Sequence, residues 1–271
     1  MTTDTFSLQA ARPIDPLTPL YAALGIAIAF LLPSVIAGAI DPRTLDGVSV
    51  WAKPLKFEIS LSLHMATLIA LAALIDPGAR QSRLFRWTMS AASFAVAGEL
   101  TYMLLQAARG RASHFNQSTP IEGAMYAIMG LMSLLLVVAP FVAGILVLRR
   151  PSGAGGAGLR FGAGLGLLLG AVLTLVLGGY MGNNLSHAVG ASPTDSLVLP
   201  VFGWSLQHGD LRVPHFFGTH LMQALPILGL LADRWLPANA RTIVAAGALA
   251  GLAVALATFV QALYGLPFIR L

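Results

Sequence analysis

The chain has 271 residues, of which 56% are hydrophobic and only 10% are charged. Because a soluble domain carries about a quarter charged residues, this composition excludes an ordinary soluble globular protein. The absence of cysteine excludes disulfides and thiolate metal ligands, and we expect no nucleic-acid partner because arginines placed by membrane topology account for the formal charge of +5.

Long apolar runs separated by proline and glycine predict an all-α fold, a polytopic membrane helix bundle of about seven transmembrane helices. Residues 1–16 are predicted to form a cytoplasmic tail, and residues 17–271 a single transmembrane domain with outer loops at 109–120 and 184–212. The predicted spans are 17–40, 51–75, 86–108, 121–148, 159–183, 213–233 and 241–266.

The distribution of basic residues predicts the orientation of the bundle. With the N-terminus inside, the cytoplasmic segments hold nine basic and four acidic residues, whereas the other side holds seven of each. Since cytoplasmic loops carry an excess of arginine and lysine, we expect an N-in, C-out protein of the inner (plasma) membrane. The lipid bilayer is its first partner.

Polar residues recur at helical spacing along the predicted spans, mostly in their outer halves. Span two carries Lys53, Lys56, Ser60 and His64, and span three carries Glu99, Tyr102, Gln106 and Arg109. Residues three or four positions apart share one helix face, and lipid penalises exposed polar groups. These stripes are therefore expected to face inward and to meet in one outer pocket.

Imidazole and carboxylate ligands suit zinc or non-haem iron, and the depths of three such groups place them in one layer. His64, His220 and Glu99 are therefore predicted to hold a metal ion, with Glu99, Ser60 and Lys56 as catalytic residues. The predicted substrate is a small amphiphilic or anionic molecule. Its binding residues are predicted to be Arg109, Arg111, His114, Asn116, His187, Asp210, Arg212, His215 and Gln223.

The span count and the pattern Ser60-x-x-x-His64 resemble the membrane hydrolases that include alkaline ceramidases and adiponectin receptors. That resemblance implies an intramembrane zinc ion held by three histidines. The second histidine pair of that family, HxxxH in the last span, is missing, because His215 and His220 lie five positions apart in span six. The resemblance covers only a few residues, and the chain is not assigned to the family.

Three functions fit these patterns. The first is a metal-dependent membrane enzyme that acts on a lipid-like substrate. The second is a b-type haem or quinone-linked redox protein, in which two of His64, His187, His215 and His220 would be axial ligands. The third is a transporter or sensor with an outer polar ligand pocket. The long 184–212 loop is either a lid over that pocket or an interfacial anchor, and the sequence leaves the oligomeric state open.

Overall fold

A computed structural model describes residues 15–45, 47–190 and 197–269. Most of the predicted 1–16 tail and residues 191–196 of the 184–212 loop lie outside the described residues. The helices are α1 (Thr18–Ile40), α2 (Ala52–Ala72), α3 (Pro77–Arg80), α4 (Arg83–Ala108), α5 (Pro120–Arg149), α6 (Ala157–Asn183), α7 (Arg212–Thr219), α8 (Leu221–Trp235) and α9 (Ala240–Leu263). Two short antiparallel ladders pair β1 (Thr44–Leu45) with β2 (Val48–Ser49) and β3 (Ala188–Val189) with β4 (Gly209–Asp210).

The prediction of an all-α membrane bundle is confirmed. Within the described residues, six helical segments are long and apolar enough to cross a membrane. A further long helix, α4, has 26 residues and packs against α1 and α5. Large apolar side chains such as Ile40, Trp87 and Leu249 are exposed on the outside of the bundle, which is the arrangement that lipid favours.

The interior is closely packed in two regions. One apolar cluster joins α1, α2, α4, α5 and α6, with Phe85, Met65 and Leu100 fully buried in it. The other joins α6, α8 and α9 around Leu221 and Leu225. Between these regions α6 packs most extensively against α8, so α6 connects the two halves of the bundle.

The predicted sixth span is interrupted at His220, which ends α7 and precedes α8. The backbone N–H of His220 still donates to Phe216 O, and His220 O accepts from Ala224 N. Gln223 N also donates to His220 O, so the regular helical pattern is interrupted only locally at His220. The sequence pattern alone predicted a continuous helix here.

The two ends of the bundle differ in chemistry. We call the end formed by residues 41–45, 47–51, 109–119, 184–190 and 197–211 the polar end, because buried charged groups lie in its connections and in the adjoining helix turns. The opposite end, formed by residues 73–82, 150–156 and 236–239, is called the arginine end. There Asp233 accepts hydrogen bonds from Gly158 N and Leu159 N, both at 2.7 Å, and so caps α6.

Candidate functional site at the polar end

Glu99 on α4 is a carboxyl group buried below the loops of the polar end, with only 1% of its surface exposed. One oxygen, Oε1, accepts a hydrogen bond of 3.1 Å from Ser133 Oγ on α5. The other oxygen, Oε2, is buried and has no hydrogen-bond partner among the described residues. A buried oxygen without a partner costs free energy, so Glu99 has an unused capacity to bind a donor.

His114 lies directly above Glu99, with its Nε2 atom 3.9 Å from Glu99 Oε2. Its ring packs against Phe57 and Phe115, and the Ser113 hydroxyl lies 3.1 Å from Nδ1. Burial, followed by the positive charge of Lys53, lowers the pKa of His114 to about 3. The imidazole is therefore neutral near pH 7. If the Ser113 hydroxyl donates to Nδ1, the ring proton is on Nε2 and faces Glu99.

The loop that carries His114 is held in a strained conformation. Phe115 has a φ of 59°, a left-handed backbone that costs about 1–2 kcal/mol for a residue other than glycine. The Phe115 ring packs between His114 and Tyr126, and Asn116 Nδ2 donates to Ala112 O at 3.0 Å. These contacts hold the strained turn and keep the His114 ring over Glu99.

Lys53 is the third member of this group, which we call the Glu99 centre (Lys53, Glu99 and His114). Its ammonium lies 5.9 Å from the centroid of the Phe57 ring and interacts electrostatically with Glu99. In the described part of the chain no hydrogen bond or close ion pair joins Lys53 to Glu99. Glu99 thus has a lysine and a histidine as neighbours, yet neither forms a hydrogen bond with it among the described residues.

Glu122 is the centre of a second buried network, beside the first. Its carboxylate accepts hydrogen bonds from Tyr102, Gln106 and Arg111 at 2.9, 2.7 and 3.2 Å. Arg109 Nη2 lies 3.4 Å from Glu122 Oε1. Arg109 and Arg111, both predicted to bind substrate, are therefore already paired with a carboxylate.

The described part of the 184–212 loop is fixed to the helices by charged groups. Arg212 binds Asp210 through Nε and Nη2, the shortest distance being 2.6 Å, and donates to Gly203 O. Lys56 Nζ donates to Phe202 O at 2.9 Å. Burial opposes ionisation of Asp210, but the hydrogen bonds and charge of Arg212, together with the Ser205 N–H, hold the pKa of Asp210 below its usual value. Arg212 is thus also paired.

Aromatic rings complete the attachment of this loop. Trp204 is buried and contacts Phe202, Phe216, Phe217 and Phe268. His187 lies at the β3–β4 ladder, where its carbonyl accepts from Leu211 N at 2.9 Å. Burial, followed by the charge of Arg212, lowers the pKa of His187 to about 4. The loop packs over the polar end through both an aromatic cluster and an ion pair.

The histidines that lie deeper in the bundle make separate contacts. His64 Nε2 lies 3.3 Å from Leu136 O on α5. His220 Nδ1 lies 3.1 Å from Gln223 Oε1, and Gln223 Nε2 donates to Thr67 Oγ1 at 3.0 Å. His215 is packed against α6 beside Gly178, and its Nδ1 has no partner among the described residues.

The predicted metal site of His64, His220 and Glu99 is not assembled in this structure. Nowhere in the described ranges do three histidine, aspartate or glutamate side chains form a group that could hold a metal ion. The polar atoms of these three residues instead bond to Leu136 O, Gln223 and Ser133, respectively. Helical spacing identified which residues share a face but not which face of the neighbouring helix they meet.

Two predicted catalytic residues lie away from the Glu99 centre. Ser60 is exposed on α2, and Lys56 is exposed and bound to the backbone of Phe202. Sequence reasoning gave no site role to Lys53 and overlooked Ser133, which lies eleven positions after Glu122 on α5. Eleven residues are close to three helical turns, so this spacing is the signal that would have placed Glu122 and Ser133 on one face of α5.

Comparison of the chain with protein-family models, with curated proteins and with solved structures found no match. The residues themselves therefore carry the functional argument.

Proposed function

We propose that the polar end is an outward-facing binding site for the neutral polar headgroup of a small amphiphile, and that the protein acts as a transporter or sensor in the inner (plasma) membrane. This proposal includes seven spans in the N-in, C-out orientation. Ionisable groups within membrane helices are costly and are typical of functional pathways. The Glu99 centre has two such groups, Lys53 on α2 and Glu99 on α4, together with His114 of the 109–119 loop.

The observation that carries the proposal is the unsatisfied state of the Glu99 centre. Glu99 Oε2 lacks a hydrogen-bond partner among the described residues, and it lies 3.9 Å from His114 Nε2, beyond hydrogen-bond distance. A ligand group that accepts from Lys53 or His114 and donates to Glu99 would satisfy these atoms. A hydroxyl or a primary amide has both capacities.

The charge balance favours a neutral headgroup over an anion. The Lys53 ammonium offsets the Glu99 carboxylate, and the His114 imidazole is neutral because its pKa is about 3. Arg109, Arg111 and Arg212, the residues that would hold an anion, are paired with Glu122 and Asp210. Freeing Arg212 would leave the buried Asp210 without its ion-pair partner, and freeing Arg109 or Arg111 would weaken the pairing of the buried Glu122; both changes are costly.

The test is a thermal-shift titration of the detergent-purified protein with matched single-chain amphiphiles. A long-chain primary alcohol and the corresponding fatty amide should raise the Tm in a saturable way. The methyl ether of the same alcohol, which has no donor hydrogen, should not. Equal shifts from all three compounds would reflect insertion of the alkyl chain and would count against the proposal.

Two variants test whether the alcohol raises the Tm by binding at the Glu99 centre. Lys53→Met removes the ammonium of the centre and should abolish the shift caused by the alcohol. Ser60→Ala is the matched control, because Ser60 lies on the same helix but is exposed away from the centre. A shift that survives Lys53→Met while Ser60→Ala reduces it would overturn the assignment of the site.

The second candidate function is the metal-dependent enzyme, and one observation favours it. Glu99 and His114 bring a carboxyl oxygen and an imidazole nitrogen within 3.9 Å, and both are common zinc ligands. In that case the same protein preparation should contain near-stoichiometric metal by elemental analysis, and His114→Gln should remove it. An absorption spectrum of that sample tests the haem alternative, because a bound haem gives a Soret band.

A further inference from the structure

A second carboxyl group, Glu58, is buried on a different face of α2. None of its surface is exposed. It faces α1, where the hydroxyl of Ser34, which is also fully buried, donates to Glu58 Oε1 at 2.6 Å. The neighbouring residue Phe57 instead contacts His114. Glu58 therefore belongs to the α1–α2 interface and not to the Glu99 centre.

Two buried oxygens at this interface have no hydrogen-bond partner among the described residues, Glu58 Oε2 and Ser62 Oγ. Residues 58 and 62 are four positions apart and so share one face of α2. A serine within a helix usually donates to the carbonyl four residues earlier, as Thr67 does to Leu63 and Ser93 to Met89. Ser62 makes no such bond, which leaves its oxygen available on the helix face that also carries Glu58.

The distance of 2.6 Å between Ser34 Oγ and Glu58 Oε1 lies in the range of a hydroxyl that donates to a carboxylate. An ionised Glu58 would need a positive charge nearby. No arginine, lysine or histidine forms an ion pair with Glu58 in the part of the chain that the structure describes. A buried carboxylate without a positive partner is strongly unfavourable.

We propose that Glu58, Ser34 and Ser62 form a binding site for a sodium ion between α1 and α2. Carboxylate and hydroxyl oxygens are hard ligands that suit hard cations, and one positive charge balances the single carboxylate. The site is about two helical turns below the polar end, since Glu58 follows Trp51 by seven residues. At the polar end of this interface, Trp51 Nε1 donates to the carboxylate of Asp41 at 2.8 Å. The proposal is independent of any ligand at the Glu99 centre.

The experiment measures sodium binding to the full-length protein in detergent at pH 8. Tm is recorded against NaCl with choline chloride holding the ionic strength constant, and equilibrium binding of radioactive sodium is measured on the same samples. Sodium should raise the Tm of the wild type in a saturable way. Glu58→Gln, which keeps the shape and removes the charge, should abolish both the shift and the binding.

Ser62→Ala should move the half-saturating sodium concentration several-fold higher without abolishing binding. Ser93→Ala is its matched control, because Ser93 is a serine on α4 whose hydroxyl bonds only its own helix. If Glu58→Gln fails to fold, the sodium dependence of the two serine variants still tests the proposal. Equal half-saturating sodium concentrations in Ser62→Ala and Ser93→Ala would contradict it.

The proposal is overturned if sodium and choline affect the wild type equally, or if Glu58→Gln keeps the sodium response. It is also overturned by a protonated-carboxyl infrared band that persists at pH 8 in sodium and disappears in Glu58→Gln. That band would mean that Glu58 holds a proton instead of sodium.

Discussion

His114 is kept neutral by its surroundings, and this gives the protein a specific sensitivity to acid. The unfolded chain takes up a proton on histidine near pH 6.5, whereas the folded pKa is about 3. The unfolded state therefore binds more protons between these two values, and stability falls as the pH falls through that range. Between these two pKa values, each pH unit of acidification lowers the free energy of unfolding by about 1.4 kcal/mol for such a group.

We therefore expect the Tm of the purified protein to fall between pH 7 and pH 5, and to fall less in His114→Gln. Some acid sensitivity should remain in the variant, because His187 also has a lowered pKa. Gln117→Ala, an exposed change in the same loop, should behave as the wild type does. If His114→Gln and the wild type lost the same Tm over this range, the burial of a neutral imidazole at this position would be wrong.

At the scale of the helices, glycines on α6 allow α8 to pack closely against it. Gly162, Gly166 and Gly170 recur every four residues and face α8 within the same chain. A Cβ at Gly162 would collide with Leu225 O, and one at Gly166 would collide with Leu221 O. Because backbone atoms cannot move aside as a flexible side chain can, the contact tolerates no side chain at these positions.

Gly162→Ala should therefore lower the Tm, with a loss of about 1–3 kcal/mol that is typical of an overpacked core. Gly179→Ala is the matched control, because Gly179 is on the same helix and a Cβ there would meet nothing within 4 Å. That control should be neutral or slightly stabilising, since alanine favours a helix over glycine. Equal Tm losses in the two variants would contradict close packing of α6 on α8.

The sequence predicted the long helices well, because hydropathy and proline and glycine breaks are local properties of the chain. For example, the predicted span at 159–183 corresponds to α6 at Ala157–Asn183. The interruption at His220 was not predicted, because position 220 is neither proline nor glycine and the break covers only one residue.

The candidate site was only partly predictable, because polar spacing defines a helix face but not its neighbour. Glu99 and His114 were both proposed from the sequence, yet their proximity depends on how the 109–119 loop folds back over α4. His64 and His220 were grouped with Glu99 by depth alone. The structure gives each of them a different partner, since depth along a helix carries no information about rotation around it.

Across the whole molecule, charge is distributed unequally between the two ends. Among the described residues, the arginine end and its adjoining helix turns carry eight arginines against three aspartates. The polar end and its adjoining turns hold nearly equal numbers of basic and acidic groups, and most of them are paired. A net positive charge retains loops in the cytoplasm, so the arginine end should be cytoplasmic and the Glu99 centre should open outward.

The absence of cysteine makes this orientation directly testable with single-cysteine variants. Ser118→Cys marks an exposed position at the polar end, and Ala154→Cys marks an exposed position at the arginine end. A membrane-impermeant maleimide applied to intact cells should label Ser118→Cys, and should label Ala154→Cys only after permeabilisation. The opposite pattern would place the Glu99 centre on the cytoplasmic side. The binding chemistry proposed for it would then apply to an amphiphile arriving from inside the cell.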